Sequence, residues 1–191
     1  MFYQTLLLIV SILSLFALIV DKGTAAEQRH AEAHVHGVAE INIVVEGKRV
    51  IVEFRTPTEG LMGFEHEART DAEQKKRDAA MKIINDRFNE LVVLDKKNGC
   101  TWRTIKARIV RGEDHDSQDK QRGADNRKQS GEHSEVQATH TFECQRSPVG
   151  TKVVFGVSKF FPDIHEINVQ VLSEAKQSGV TIKKDEGEVV L

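Results

Sequence analysis

The strictest constraint on what this chain can fold into is a period-two alternation over residues 38–55. Ile41, Ile43 and Val45 alternate with polar residues, and Val50, Val52 and Phe54 alternate with Ile51, Glu53 and Arg55. In extended backbone successive side chains point to opposite faces, so each run presents one apolar face. Between the runs, Glu46-Gly47-Lys48 supplies a turn whose glycine can take φ > 0. The pattern predicts a β-hairpin, ended by Thr56-Pro57. Two such strands need something to pack against.

The nearest cover is a helix. Thr70-Asp71-Ala72-Glu73 has capping-box form, with acids suited to the positive end of a helix dipole. Ala72, Ala79, Ala80, Ile83, Ile84 and Phe88 recur at helical spacing, Leu91 extends the stripe, and the helix is expected over 70–89. Its charged residues read as a solvated face. Further strands are expected over 92–94, 100–110, 134–144 and around Ile167, Val169 and Val171, with two short ones in 180–191. Residues 152–161 read as a strand running into a short helical turn stopped by Pro162. The expected fold class is α+β: a mainly antiparallel β-sheet covered by one main α-helix. Residues 112–135 contain no Val, Ile, Leu, Met or aromatic residue, so they read as a disordered polar insert.

Residues 1–26 resemble an export signal. Residues 6–20 are apolar except for Ser11 and Ser14, and Thr24-Ala25-Ala26 offers small residues before a cleavage ahead of Glu27. The alternative is an uncleaved anchor, but the run falls short of the roughly 20 residues a span requires. Residues 27–191 then form a single domain, and the membrane is met only through the signal segment. The formal net charge is −2, which gives no electrostatic footprint for nucleic acid. The chain has 2 cysteines. In an exported protein these are expected to pair, Cys100 with Cys144, near the ends of neighbouring antiparallel strands. The rival is a pair of metal-binding thiolates, and no Cys-x-x-Cys spacing supports it.

Functional chemistry concentrates in His30-Ala31-Glu32-Ala33-His34-Val35-His36-Gly37. Read as extended chain, this puts His30, Glu32, His34 and His36 on one side with Glu40 and Asn42. Val35, Ala39, Ile41, Ile43 and Val45 fall on the other. Two imidazoles two residues apart can converge on one ion, and His34 with His36 is that pair. His-x-His is a short motif, and a hydrophilic N-terminus holding three histidines is the plain alternative. The segment Glu59-Gly60-Leu61-Met62-Gly63-Phe64-Glu65-His66-Glu67 reads as a bent, ordered loop that delivers Glu65, His66 and Glu67 near the hairpin's end. Lesser metal candidates are His115 and His133 of the insert, and the Asp163/His165 pair. Their plain readings are a solvated loop and a strand-edge histidine.

Other chemistries are missing. Neither His66-Glu67 nor His165-Glu166 is followed by the second histidine of a zinc-protease helix. There is no Gly-x-Ser-x-Gly, phosphate-binding glycine loop or dinucleotide fingerprint. The chain is therefore expected not to be an enzyme. Imidazole and carboxylate together suit Zn²⁺, Cu²⁺ or Ni²⁺. Scattered methionines (Met1, Met62, Met81) argue against a soft Cu(I) site.

Several stretches together resemble one family, the ZrgA-type zinc-regulated periplasmic proteins of Gram-negative bacteria. They are Ala33-His34-Val35-His36-Gly37-Val38-Ala39, Pro57, and Gly63-Phe64-Glu65-His66. Cys100 ahead of one strand, Thr141-Phe142-Glu143-Cys144 closing another after a polar insert, and Phe160-Phe161-Pro162 complete the set. The resemblance spans essentially all of 27–191. It implies a periplasmic protein that binds Zn²⁺ and contributes to zinc acquisition, and it carries over to His34, His36 and His66 as ligand candidates; Glu65, a water or His30 is expected to fill the remaining position. The expected function is a buffer or chaperone handing zinc to an uptake transporter. A protein-interaction module without metal and a zinc hydrolase are the alternatives. Such inserts are often histidine-rich; this one has only His115 and His133.

Overall fold

The computed structural model describes residues 35–111, 133–174, 176–184 and 187–191. The expected signal segment, and residues 112–132 of the expected insert, lie outside these. The alternating stretch forms strands β1 (Val38–Glu46) and β2 (Arg49–Pro57), paired antiparallel from Glu46↔Arg49 to Glu40↔Arg55. Gly47 takes φ 59 in the connection. Ala39, Ile41, Ile43, Val45, Val50, Val52 and Phe54 are all buried, as the alternation requires.

The segment read as a loop begins instead with one helical turn, α1 (Thr58–Met62), after which Gly63 turns the chain at φ 81. Helix α2 (Asp71–Asp86) follows behind the expected capping box: Thr70 Oγ1 accepts from the Glu73 amide at 3.2 Å, and Glu73 Oε2 accepts from the Thr70 amide at 3.0 Å. Backbone N–H donation from Arg69, then Thr70, holds the Glu73 carboxyl below its usual range. The helix is shorter and less buried than its stripe suggested. Only Ala80 and Ile84 are buried, while Ala72 and Ala79 are exposed. The chain breaks at Arg87, and a separate turn, α3 (Phe88–Leu91), carries Phe88 and Leu91 into the core. The fold is of the expected α+β class with one main helix among the described residues, and α3 adds Phe88 and Leu91 to the core beside it.

The remaining elements are β3 (Val92–Leu94), β4 (Cys100–Arg111), β5 (Ser134–Cys144), β6 (Lys152–Phe155), α4 (Val157–Phe160), β7 (Glu166–Leu172), β8 (Gln177–Lys183) and β9 (Glu188–Val190). They make two sheets, one in the order β4-β5-β2-β1-β7-β8 and one in the order β3-β6-β9. Every pairing is antiparallel except that of β1 with β7. Phe88, Leu91, Phe155, Val157 and Ile164 share one hydrophobic cluster with the inner face of the larger sheet. The two tail strands separate: β8 borders the larger sheet, and β9 joins β6.

Strand β5 begins at Ser134, so the last residues of the expected insert, Ser134 and Glu135, are sheet, and both are buried. Cys100 and Cys144 are register partners and form the expected disulfide. A bulge between Thr104 and Lys106 inserts Ile105 without a partner and leaves it 54% exposed. The extra residue lets Trp102 and Thr104 share a face with Ala107 and Ile109.

Candidate metal centre

His36 does not sit on a strand. The Val38 amide donates to the Val35 carbonyl at 3.3 Å, closing a turn in which Gly37 has φ 75. That left-handed residue ends the extended phase ahead of β1, so Val35 is 63% exposed rather than on the apolar side. The Gly37 carbonyl accepts from the His165 and Glu166 amides, at 3.0 and 3.2 Å, which ties the turn to the start of β7. The His165 ring covers the glycine so closely that a Cβ there would lie 2.2 Å from its Cε1.

Opposite this turn, α1 presents Glu59 in its only turn, and the Gly63 amide closes that turn on the Glu59 carbonyl at 2.7 Å. The chain then doubles back to Glu65. Thr58 Oγ1 donates to the Phe64 carbonyl at 2.9 Å, and Ser134 Oγ donates to the Glu65 carbonyl. These contacts anchor the Glu65 backbone to the start of β5.

His36, Glu59 and Glu65 each bring one ligand atom into a group whose members all lie within 4.8 Å of one another. His36 Nδ1 abuts Glu59 Oε2 and stands 3.8 Å from Glu65 Oε1. Both carboxylate oxygens are buried atoms that accept no hydrogen bond. Buried acceptors left in this state carry their full desolvation penalty, which a cation between them would offset. One imidazole nitrogen and two carboxylate oxygens suit zinc.

A family model described as ZrgA family zinc uptake protein matches residues 33–191. The chain belongs to that family. No curated protein matches it. The ZrgA family match takes in every residue of the group, and it makes zinc the ion that the convergence of His36, Glu59 and Glu65 is to be tested against.

The other expected ligands are dispersed. His30, His34 and His115 lie outside the described residues. His66 donates from Nδ1 to the Glu67 carbonyl at 2.9 Å and stacks on Phe64 with ring centroids 5.1 Å apart. Its Nε2 faces Glu73 at 3.8 Å, beside the start of α2 and outside the His36 group. His165 Nδ1 approaches the Asp163 backbone carbonyl at 3.4 Å, so the contact between these two residues is not a carboxylate–histidine pair. His133 comes close: its Nδ1 is 2.5 Å from Glu65 Oε2.

Glu59 is the member that sequence reasoning missed. Treating 59–67 as one loop drew attention to its far end. The available signal was Pro57 ahead of a short segment and Gly63 just past it, the asymmetry that brackets a helix. A single helical turn followed by a left-handed glycine folds Glu59 back beside Glu65.

Proposed function

We propose that this chain binds Zn²⁺ reversibly in the periplasm and serves as a buffer or chaperone that passes the ion to an uptake transporter. Zinc is the cargo, and the protein acts as a carrier rather than an enzyme. The observation that carries the reading is that a buried carboxylate oxygen of Glu59 and one of Glu65, neither accepting a hydrogen bond, converge on His36 Nδ1.

Three protein donors leave one position of a tetrahedral zinc shell for water or for a donor from a receiving protein. The site is also reachable: the His36 and Glu59 side chains are 60% and 44% exposed. Accessibility with an incomplete shell favours exchange over permanent retention. Ligating imidazole must be neutral, so protons compete with zinc for the site. The Cys100–Cys144 disulfide fits an oxidising compartment. Among the described residues, no helix is long and apolar enough to cross a membrane.

The test is calorimetric titration of zinc into chelator-stripped protein, alongside His36→Ala and Glu59→Ala. Submicromolar binding that is lost in both variants, with unchanged thermal unfolding in chelator, is the expected result. Equal binding in all three proteins would refute the assignment.

A further inference from the structure

The two oxygens of Glu65 do different things. Oε1 faces His36 at 3.8 Å, while Oε2 lies 2.5 Å from His133 Nδ1. An ionised carboxylate only accepts hydrogen bonds, so Nδ1 is the protonated nitrogen in this contact. Charge on the acceptor makes the bond shorter and stronger than a neutral one. The next residue, Ser134, donates to the Glu65 main-chain carbonyl. Two consecutive residues, His133 just ahead of β5 and Ser134 at its start, thus hold both the side chain and the backbone of one glutamate.

No regular element holds the Glu65 backbone. Glu65 follows the left-handed Gly63, lies outside any helix or strand, and carries a side chain with several rotatable bonds. The Thr58 and Ser134 hydroxyls, 2.6 Å apart, fix where its backbone sits. They do not decide which carboxylate oxygen turns toward His36 and Glu59; the His133 contact does.

We propose that His133 is a positioning residue of the zinc site: its Nδ1–H engages Glu65 Oε2 and so presents Oε1 alone to the ion. This inference rests on the zinc-binding reading of His36, Glu59 and Glu65. It gives Glu65 one-oxygen ligation, because Oε2 is already committed. One-oxygen ligation keeps a coordination position open for an incoming donor, as delivery to a second protein requires. His133 is a second-tier partner of the carboxylate, and partners of that kind typically contribute roughly 10–100-fold to metal affinity.

Asparagine distinguishes this role from direct ligation. Its Nδ2 occupies the place of histidine Nδ1 and donates a hydrogen bond, but an amide nitrogen is not a zinc ligand. The experiment compares wild type, His133→Ala and His133→Asn by zinc competition titration and by zinc-edge X-ray absorption, which counts coordinated imidazoles. Melting in chelator checks that each variant is folded. Expected are roughly 10–100-fold weaker binding in His133→Ala, recovery to within a few-fold of wild type in His133→Asn, and the same imidazole count in all three. Loss of one imidazole in the variants would make His133 a ligand and overturn the proposal. Wild-type affinity in His133→Ala, or no recovery in His133→Asn, would overturn it as well. His36→Ala and Glu59→Ala run in parallel separate the two levels: if they also bind normally, the underlying site fails, and if they lose zinc while His133→Ala does not, only the positioning role fails.

Discussion

Acid should destabilise this protein through His140, which lies wholly buried on the inner face of β5. Its Nδ1 is 3.2 Å from Thr104 Oγ1, and that hydroxyl gives its one hydrogen to the Asn85 carbonyl at 2.9 Å. The hydroxyl therefore accepts from the ring, which places the imidazole proton on Nδ1. Nε2 is left bare, buried and without a partner. The ring stacks on Phe88 with centroids 3.5 Å apart and lies near Trp102, and neither these nor Thr104 bears a charge. Burial pushes the pKa from 6.5 down to about 3.

The folded ring thus stays neutral where the unfolded one takes up a proton. This contribution to stability is complete above pH 6.5 and is lost as the pH falls from there toward 3. Between pH 7 and pH 5 the loss works out at about 2 kcal/mol. At pH 5 the folded ring binds almost no proton, so the figure depends little on how far below 4 its pKa lies. Urea unfolding at pH 7, 6 and 5 in chelator, for wild type and His140→Phe, measures it. Whatever the swap does to absolute stability, the wild type should lose about 2 kcal/mol more than the variant over that range. Parallel pH dependences would refute the reasoning, because they would mean that His140 titrates in the folded protein.

Gly37→Ala should disturb the metal site more than the fold. It forces a Cβ to 2.2 Å from the His165 ring and places alanine at φ 75, a backbone strain of about 1–2 kcal/mol. At least tenfold weaker zinc binding with a still-cooperative melt is expected in a paired titration and thermal scan; unchanged affinity would show that the turn does not position His36. Replacing Cys100 and Cys144 together by serine should lower stability by up to about 4 kcal/mol, the loop-closure value for this separation. A urea midpoint that does not move would show that the cross-link is not restricting the unfolded chain.

Local pattern and non-local pairing divide what could be read. Alternation in β1, β2 and β7, the capping box at Thr70 and the turn at Gly47 are legible because each depends on a few neighbouring residues. The cysteine pair was legible from count and context. His36 and Glu65, both singled out from the sequence, fall in the candidate group. Ala72 and Ala79 misled because helical spacing marks a face but not how much of its length meets the sheet. His36 was placed on a strand because periodicity has no term for a single left-handed glycine, which is what turns it aside.

The sequence by itself determined the strands, their inward faces, the helix start and the residue types able to hold a metal. Tertiary structure alone decided that β1 runs parallel to β7, that the tail divides between two sheets, and that His36 and His133 both reach Glu65. Those contacts join residues far apart in the chain, as in the 68-position separation of His133 from Glu65. Which distant segments meet is set by burying one shared apolar core, a property of the whole chain that no short window contains.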